Sequence, residues 1–185
     1  MLKKILIGLA VLIAVLVAVI ATRPDTFQVE RAQTMAASPA AVYAQVVDFQ
    51  KWKGWSPWEK LDPAMKTWFT GTLGEVGSTY EWKGNSDVGA GKMTVLEAKP
   101  GELVRIKLEF TEPFASTSDS VFTFTPEGAG TKVKWTMTGE NNFVSKAMCL
   151  VMDMDAMIGK DFEKGLAQIR TQAEAAPAAV AVPAQ

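Results

Sequence analysis

The sequence predicts an α+β domain in which a curved antiparallel sheet wraps around a long C-terminal helix, behind one N-terminal transmembrane helix. Three observations lead to this fold class. About six segments between Lys66 and Gly139 alternate apolar and polar residues between Gly- or Pro-containing turns, which is typical of antiparallel strands with one buried face. A long amphipathic segment follows these strands, and an unbroken apolar run precedes them.

The overall composition argues against several classes of function. The 185 residues are enough for one domain with a substantial core. The charges nearly cancel, with 19 basic and 20 acidic residues and no basic run, which disfavours nucleic-acid binding. The chain has no histidine, which excludes His-dependent nucleophile pairs. Cys149 is its one cysteine, so neither an intrachain disulfide nor a Cys-rich zinc site can form. We therefore expect no cofactor and no metal.

The apolar run from Ile5 to Ala21 is long enough to cross a membrane. Its residues rise about 1.5 Å each in a helix and span roughly 25 Å. Lys3 and Lys4 on the short side predict a cytoplasmic N-terminus and a domain on the extracytoplasmic (periplasmic or external) side. The alternative is a signal peptide cleaved after Ala21, with Val19 as the other small-residue position of the cleavage site.

A strand and two short helices are predicted next. Phe27 to Met35 alternates apolar and polar residues, as a strand does. Ser38-Pro39 supplies an N-cap and a first helical residue for a helix from Ala40 to Val47. Asp48 caps a second short helix that carries Trp52. This corner precedes the remaining strands.

The rest of the sheet is predicted from alternation and turn residues. The strands are Lys66–Thr72, Ser78–Lys83, Gly91–Ala98, Glu102–Thr111, Ser118–Thr125 and Thr131–Gly139. With the first strand they make about seven. Their apolar face needs a cover because one side of the sheet is consistently hydrophobic.

That cover is predicted to be one amphipathic helix from Phe143 to about Ala173. Placed at about 100° per residue, its apolar stripe consists of Phe143, Ala147, Leu150, Val151, Met154, Ile158, Phe162, Gly165 and Ile169. The helix would be about 40 Å long or more, with a bend allowed near Asp153–Asp155 and Cys149 on its polar side. The segment from 175 to 185 is rich in Ala and Pro and is predicted to be a disordered tail.

Six short motifs occur in this order along the domain. They are Ser38-Pro39-Ala40-Ala41-Val42-Tyr43, Asp48-Phe49 with Trp52 and Trp55-Ser56-Pro57-Trp58, Gly77-Ser78-Thr79-Tyr80-Glu81-Trp82, Gly89-Ala90-Gly91-Lys92-Met93, Gly130-Thr131 with Val133 and Trp135, and Gly159-Lys160-Asp161-Phe162 with Gly165-Leu166. In this order they resemble the START-like (SRPBCC) superfamily and its polyketide cyclase/dehydrase and lipid-transport branch.

The resemblance covers Phe27 to about Glu174 and implies a helix-grip fold. It also implies a deep pocket between sheet and helix for a hydrophobic molecule, but no universal catalytic residue. The superfamily hosts ligand binders, cyclases, lipid carriers and chaperone co-factors on one frame, so function does not follow from the fold. We expect three regions: an anchor or signal segment at 1–22, a START-like domain at 26–174 and a tail at 175–185.

Candidate pocket residues come from both sides of the predicted grip. Trp52, Trp55 and Trp58 form either a gate over a cavity or a plug that closes the end of the core. The predicted lining consists of Trp55, Trp58, Tyr80, Trp82, Ile106, Leu108, Phe110, Phe122, Phe124, Trp135, Met137, Met154, Ile158 and Asp161. The alternative is a filled core, since protein interiors pack to crystal-like density.

Asp161 is the one ionisable residue on the apolar stripe. A carboxylate there is unfavourable unless it is paired or hydrogen-bonded. It could orient the polar head of a ligand or act as a general acid–base. The alternatives are an ion pair with Arg31 or Arg105, or a position at the stripe's edge that reaches solvent. Glu59, after the tryptophans, either guards the entrance or is a solvated loop charge.

These observations favour a binding protein over an enzyme, and no catalytic residue is predicted. The favoured function is a membrane-tethered protein that holds a hydrophobic or lipid-like small molecule between the sheet and the C-terminal helix. Its partners would be that molecule and the membrane, through Ile5–Ala21, and not nucleic acid. The alternatives are a cyclase- or dehydrase-like enzyme that uses Asp161 or Tyr80, and an interaction scaffold with a filled core.

Overall fold

The protein forms one seven-stranded antiparallel sheet with helices on one side, in a computed structural model that describes residues 1–175. The helices are α1 (Leu2–Ala21), α2 (Pro39–Val47), α3 (Trp52–Trp55), α4 (Phe143–Met148) and α5 (Met154–Ala175). The strands are β1 (Thr26–Met35), β2 (Lys66–Thr70), β3 (Thr79–Lys83), β4 (Ala90–Lys99), β5 (Leu103–Glu112), β6 (Ser116–Glu127) and β7 (Gly130–Glu140). The predicted α+β helix-grip fold is confirmed. Apart from Ala175, the predicted tail lies outside the described residues.

The sheet runs in the order β1-β7-β6-β5-β4-β3-β2, so the first strand closes onto the last. Val29 of β1 lies opposite Met137 of β7, and Thr26 lies opposite Glu140. Because β1 begins where β7 ends, the connection from α1 enters at one end of the sheet. The β5–β6 hairpin lies at that same end, since Phe110 pairs with Ser116.

The corner between β1 and β2 is fixed by local hydrogen bonds. The Ser38 side chain accepts from Ala41 N and caps α2, and Asp48 accepts from Gln50 N to start the next turn. Trp52 Nε1 donates to Val46 O at 2.8 Å, and Trp55 Nε1 donates to Gln45 O at 2.9 Å. Both indoles are therefore satisfied while their rings are buried.

The predicted continuous helix from Phe143 is wrong. The chain is helical in α4, leaves helical geometry from Cys149 to Asp153, and begins α5 at Met154. Asp153 Oδ1 accepts from Ala156 N at 2.9 Å, so Asp153 caps the N-terminus of α5. The bend that the sequence allows near this aspartate is therefore a complete break between two helices. The predicted stripe is not buried here: Val151 is 84% exposed. Cys149 thus lies in a turn and not on the polar side of a helix.

Contacts with α1 explain the break. α4 packs against α1, whereas α5 packs on β1, α2 and α3. One straight helix cannot reach both partners. Asn141 N donates to Asp25 O at 2.7 Å, and Lys146 Nζ forms an ion pair with the Asp25 carboxylate. These bonds hold α4 beside the segment that leaves α1.

α1 is long and apolar enough to cross a membrane, and a signal sequence near an N-terminus passes the same test. It has 20 residues, which rise about 30 Å in total. Ile20, in its last turn, is buried. The end of α1 is therefore covered by protein.

Candidate functional site

The strand register places the predicted lining residues of the sheet on one face. Tyr80 lies opposite Met93, which lies opposite Leu108, and Trp135 lies opposite Phe122. Alternation along the strands brings the other members to this same face, namely Trp82, Ile106, Phe110, Phe124 and Met137. We call it the concave face, because α5 packs over part of it.

Stacked rings fill the space between α5 and the middle of the concave face. The Trp135 ring stacks on Phe162 with centroids 3.8 Å apart and on Phe122 at 4.6 Å. Trp55 meets Trp135 edge to face at 5.8 Å, and Trp135 Nε1 donates to Ser120 Oγ at 2.8 Å. We call Trp52, Trp55, Phe122, Trp135 and Phe162 the aromatic cluster. Contacts at these spacings leave no room for a ligand among the rings.

The three tryptophans of the corner divide into two roles. Trp52 and Trp55 are buried, and their rings belong to the aromatic cluster, so they act as the plug. Trp58 is half-buried, with its ring centroid 6.0 Å from Trp135 and 6.4 Å from Phe162. It lies at the rim of a surface groove.

This lateral groove lies between the corner and α5 and has a volume of about 310 Å³. It is lined by Trp55, Ser56, Pro57, Trp58, Lys60, Leu61, Asp161, Lys164 and Gln168. Three of the predicted pocket residues are among these. Two lysines and one aspartate give it a polar rim.

Asp161 lies in the lateral groove at the edge of the apolar stripe. Its Oδ1 is 2.8 Å from Lys164 Nζ, one turn further along α5, and the side chain is 29% exposed. The expected partners are engaged elsewhere: Arg31 pairs with Asp155 and Glu163, and Arg105 pairs with Asp119. Of the alternatives, the edge position that reaches solvent is the one observed.

A larger groove of about 600 Å³ lies where β1 begins, beside the junction of α4 and α5. We call it the membrane-proximal groove only because Arg23 and Pro24 in its lining follow α1, the helix that is long and apolar enough to cross a membrane. Its lining consists of Arg23, Pro24, Thr26, Phe27, Gln28, Val29, Asn141, Lys146, Cys149, Leu150, Val151, Met152, Asp153, Met154 and Asp155. Met154 is the one predicted pocket residue in this lining. One continuous helix over 143–173, as the sequence predicts, has no junction there, so the residues from Asn141 to Asp153 are not expected to line a pocket.

The other predicted pocket residues line neither groove. Tyr80, Trp82, Ile106, Phe122, Phe124 and Trp135 are buried in the core. Leu108, Phe110, Met137 and Ile158 are half-buried and pack against that core. Met137 lies opposite Val29, which lines the membrane-proximal groove. As ligand-binding residues, all of these remain predictions.

A tyrosine–carboxylate pair, Tyr80 and Glu59, lines neither groove. The Tyr80 hydroxyl donates to Glu59 Oε1, and the Tyr80 ring is surrounded by Phe49, Phe69 and Trp82. Burial first, and then the bond to Glu59, raise the pKa of Tyr80 far above its ordinary value. Tyr80 is therefore a neutral donor, and Glu59 is not a simple solvated charge.

Arg31 joins β1 to α5 beside the membrane-proximal groove. Its guanidinium lies 3.0 Å from Asp155 Oδ2 and 2.9 Å from Glu163 Oε1. The hydrogen bond from Arg31 holds the pKa of the Asp155 carboxyl below its ordinary value. The Arg31 guanidinium packs directly against α5 at Gly159, because a glycine has no side chain in that space. Within residues 1–175, no cluster of three or more acidic or cysteine side chains could hold a metal ion.

The family model described as polyketide cyclase / dehydrase and lipid transport matches residues 26–174. This is the region in which the sequence motifs occur, and the resemblance is confirmed. No curated protein matches the chain.

Solved structures share the fold at low sequence identity. A protein from Chromobacterium violaceum is 17% identical with a TM-score of 0.58, and the match covers 83% of this chain and 100% of that one. The di-domain ARO/CYC StfQ from the steffimycin biosynthetic pathway is 12% identical with a TM-score of 0.61, over 81% of this chain. A second di-domain ARO/CYC, BexL, is 14% identical with a TM-score of 0.61, over 87% of this chain. The match spans about half of each di-domain protein, at 51% and 54%, and at these identities it shows the fold alone.

Proposed function

Because the chain belongs to the family described as polyketide cyclase / dehydrase and lipid transport, we propose that it is a membrane-tethered protein that holds a lipid-like molecule. The molecule occupies the membrane-proximal groove. The observation that carries this proposal is the position of that groove, which is lined by Arg23 and Pro24 immediately after α1. An apolar ligand that passes between the bilayer and this groove travels a short path through water.

The size and lining of the groove support the proposal. Its volume of about 600 Å³ lies within the range of roughly 300–1,000 Å³ that is usual for small-molecule sites. Phe27, Val29, Leu150, Met152 and Met154 supply apolar surface. Methionine adapts to irregular ligands because its side chain is unbranched and flexible.

The aromatic cluster supports the same location by elimination. A ligand among its rings would have to separate Trp135 from Phe162, which stack at 3.8 Å. Nearer the groove, Met137 and Ile158 are only half-buried. A ligand that enters the groove therefore reaches the predicted pocket residues Met137 and Ile158 from the membrane-proximal side.

Membrane attachment through α1 belongs to the proposal. The lysines at positions 3 and 4 favour a cytoplasmic N-terminus and an extracytoplasmic domain. Only Thr22–Asp25 separate α1 from β1. At about 3.5 Å per residue, this connection keeps the start of β1 within roughly 14 Å of the end of the span.

Photolabelling tests the proposal directly. The full chain is reconstituted in phosphatidylcholine vesicles that contain a diazirine-bearing palmitic acid, irradiated and mapped by mass spectrometry. We expect label on α1 and on the segment Phe27–Val29, because that segment lines the groove. Label on α1 without label at 27–29 or 150–154 would refute the groove, and an unlabelled α1 would refute the anchor.

A pair of tryptophan variants controls this experiment. Leu150→Trp adds bulk to the groove and should lower the labelling of Phe27–Val29 severalfold while α1 stays labelled. Leu96→Trp makes the same change at an exposed position of β4 and should alter neither the labelling of Phe27–Val29 nor that of α1. Equal labelling of both variants would contradict the proposal. Native mass spectrometry of the detergent-purified full chain would then identify any molecule that co-purifies.

A second candidate function, catalysis, is favoured by the hydrogen-bonded pair of Tyr80 and Glu59. A buried neutral tyrosine beside a carboxylate is an arrangement that general acid–base catalysis uses. Tyr80→Phe removes the proton donor and keeps the ring. If the protein is an enzyme, the molecule that co-purifies with this variant should differ in mass from that of the wild type. Identical ligands would argue for binding alone.

A further inference from the structure

The membrane-proximal groove is bordered by an exposed apolar surface that nothing in residues 1–175 covers. Five large apolar residues fall between 143 and 152, each between 38% and 84% exposed. They are Phe143, Val144, Met148, Val151 and Met152. We call them the juxtamembrane surface. A contiguous apolar patch on a protein surface marks an interaction site more often than chance.

We propose that the juxtamembrane surface inserts into the interfacial region of the lipid bilayer and forms a second membrane contact beside α1. The proposal rests on the proposed function in one respect, which is that α1 is retained as a membrane span. It adds that the rim of the groove lies within the lipid and not merely near it.

Three bonds hold this surface at the depth of the bilayer interface. Asn141 bonds Asp25 through its backbone and donates from Nδ2 to Pro24 O at 3.2 Å. Lys146 pairs with Asp25. α4 also contacts α1, and Ile20, in the last turn of α1, is buried. Since that turn is where the span leaves the hydrocarbon, α4 lies at the interface.

The apolar character fits lipid better than water at this depth. Interfacial segments bury their apolar side chains about 5–10 Å below the headgroups. Phe114, on the β5–β6 hairpin at the same end of the sheet, is also 62% exposed although it is far away in sequence. The juxtamembrane surface and Phe114 are far apart in sequence, and both are explained if the end of the sheet next to α1 faces the bilayer.

Depth-dependent quenching tests the inference in the full chain. In a Cys149→Ser background, an environment-sensitive NBD fluorophore is attached to Phe143→Cys or Val144→Cys in vesicles that contain doxyl-labelled phosphatidylcholine. Both positions belong to the juxtamembrane surface and neither lines the groove, so a lipid bound in the groove does not account for quenching there. Leu12→Cys, in α1, is the positive control. Val76→Cys is the negative control, because Val76 is an exposed apolar residue between β2 and β3, at the opposite end of the sheet. We expect strong quenching at 12, 143 and 144 and little at 76.

Each outcome separates the inference from the proposed function. Quenching at 12 with quenching at 143 and 144 as weak as at 76 would refute the juxtamembrane contact and leave the anchor standing. No quenching at 12 would remove the anchor and this inference together. Protection of 143 and 144 from aqueous iodide without quenching by doxyl lipid would show that a second copy or another protein covers the surface, which also overturns the inference.

Discussion

The two halves of α5 face opposite kinds of environment. Its middle and C-terminal part pack on the aromatic cluster, where Phe162, Leu166 and Ile169 are almost fully buried. Its N-terminal part borders the membrane-proximal groove, where Met154 and Ile158 are half-buried and Met157 is exposed. The same sheet and the same helix thus form a closed core at one end and an open groove at the other.

This difference comes from which partner covers the sheet. At the closed end, the corner from Asp48 to Trp58 adds rings that the sheet and helix alone do not supply. At the open end, the chain that would extend α5 turns away to pack on α1. Regions with few buried contacts open at low free energy. A helix-grip fold can therefore be rigid and adaptable at once, without a hinge between domains.

The largest expected effect separates the two halves by stability. Phe162→Ala removes a ring that stacks on Trp135 and should lower the free energy of unfolding by about 3–5 kcal/mol. Met154→Ala, on the same helix at the groove, should lower it by about 1 kcal/mol or less because its side chain is only half-buried. Urea unfolding of the full chain in detergent, followed by tryptophan fluorescence, compares them. Similar losses would mean that the two halves are equally packed.

The next effect tests whether the buried polar contact in the aromatic cluster is needed. Ser120→Ala leaves the Trp135 indole N–H without its acceptor and should lower the free energy of unfolding by about 1–3 kcal/mol. Ser118→Ala changes a neighbouring buried serine on the same face, whose hydroxyl does not accept from Trp135. Equal unfolding midpoints for the two variants would show that Trp135 finds another acceptor.

A glycine pair probes the closeness of packing in each half. A Cβ on Gly165 would lie 2.9 Å from Trp135 Cζ3, in a ring held on both faces. Gly165→Ala should therefore destabilise by about 1 kcal/mol despite the higher helix propensity of alanine. A Cβ on Gly159 would displace the Arg31 guanidinium from Asp155 and Glu163. These ion pairs are partly exposed, so their loss of about 1 kcal/mol or less is offset by the higher helix propensity of alanine. Gly159→Ala should be nearly neutral in thermal unfolding, and a reversed order would contradict this comparison.

The smallest expected effect is a pH dependence at the open end. The pKa of Asp155 is lowered by Arg31, so its stabilising contribution is complete above the ordinary carboxyl pKa of about 4. It is lost as the pH falls through the lowered value. Asp155→Asn should therefore unfold at lower urea than the wild type at about pH 6, and the gap should narrow progressively as the pH falls below the ordinary carboxyl value of about 4. A constant gap at both pH values would mean that the Arg31 pair is not its source.

The strands could be predicted because their signal is local. Every predicted strand end lies within two residues of the observed one, and the cap at Ser38 is the observed cap of α2. Alternation reports a buried face whatever covers it. The family motifs at Asp48–Trp58 added the corner. The fold class therefore followed from sequence alone.

The candidate site could not be predicted to the same extent because it depends on which surfaces meet. Phe143 and Val151 are apolar as the predicted stripe requires, but periodicity does not say whether one helix continues between them, nor whether a sheet, a second helix or lipid covers them. Asp161 lies at the edge of the stripe beside the corner, so its exposure depends on how the corner packs against α5. Whether the aromatic cluster leaves a void depends on how its rings stack, and the amino-acid composition does not determine that geometry.

The connection from Thr22 to Asp25 has a consequence for how the groove is supplied. If α1 is retained and the groove binds a lipid as proposed, a tether this short keeps the domain over one small area of membrane, and the ligand reaches it by lateral diffusion. Occupancy of the groove then follows the mole fraction of the ligand among the surrounding lipids, not its amount per volume of solution. The protein would thus report on the composition of its own membrane.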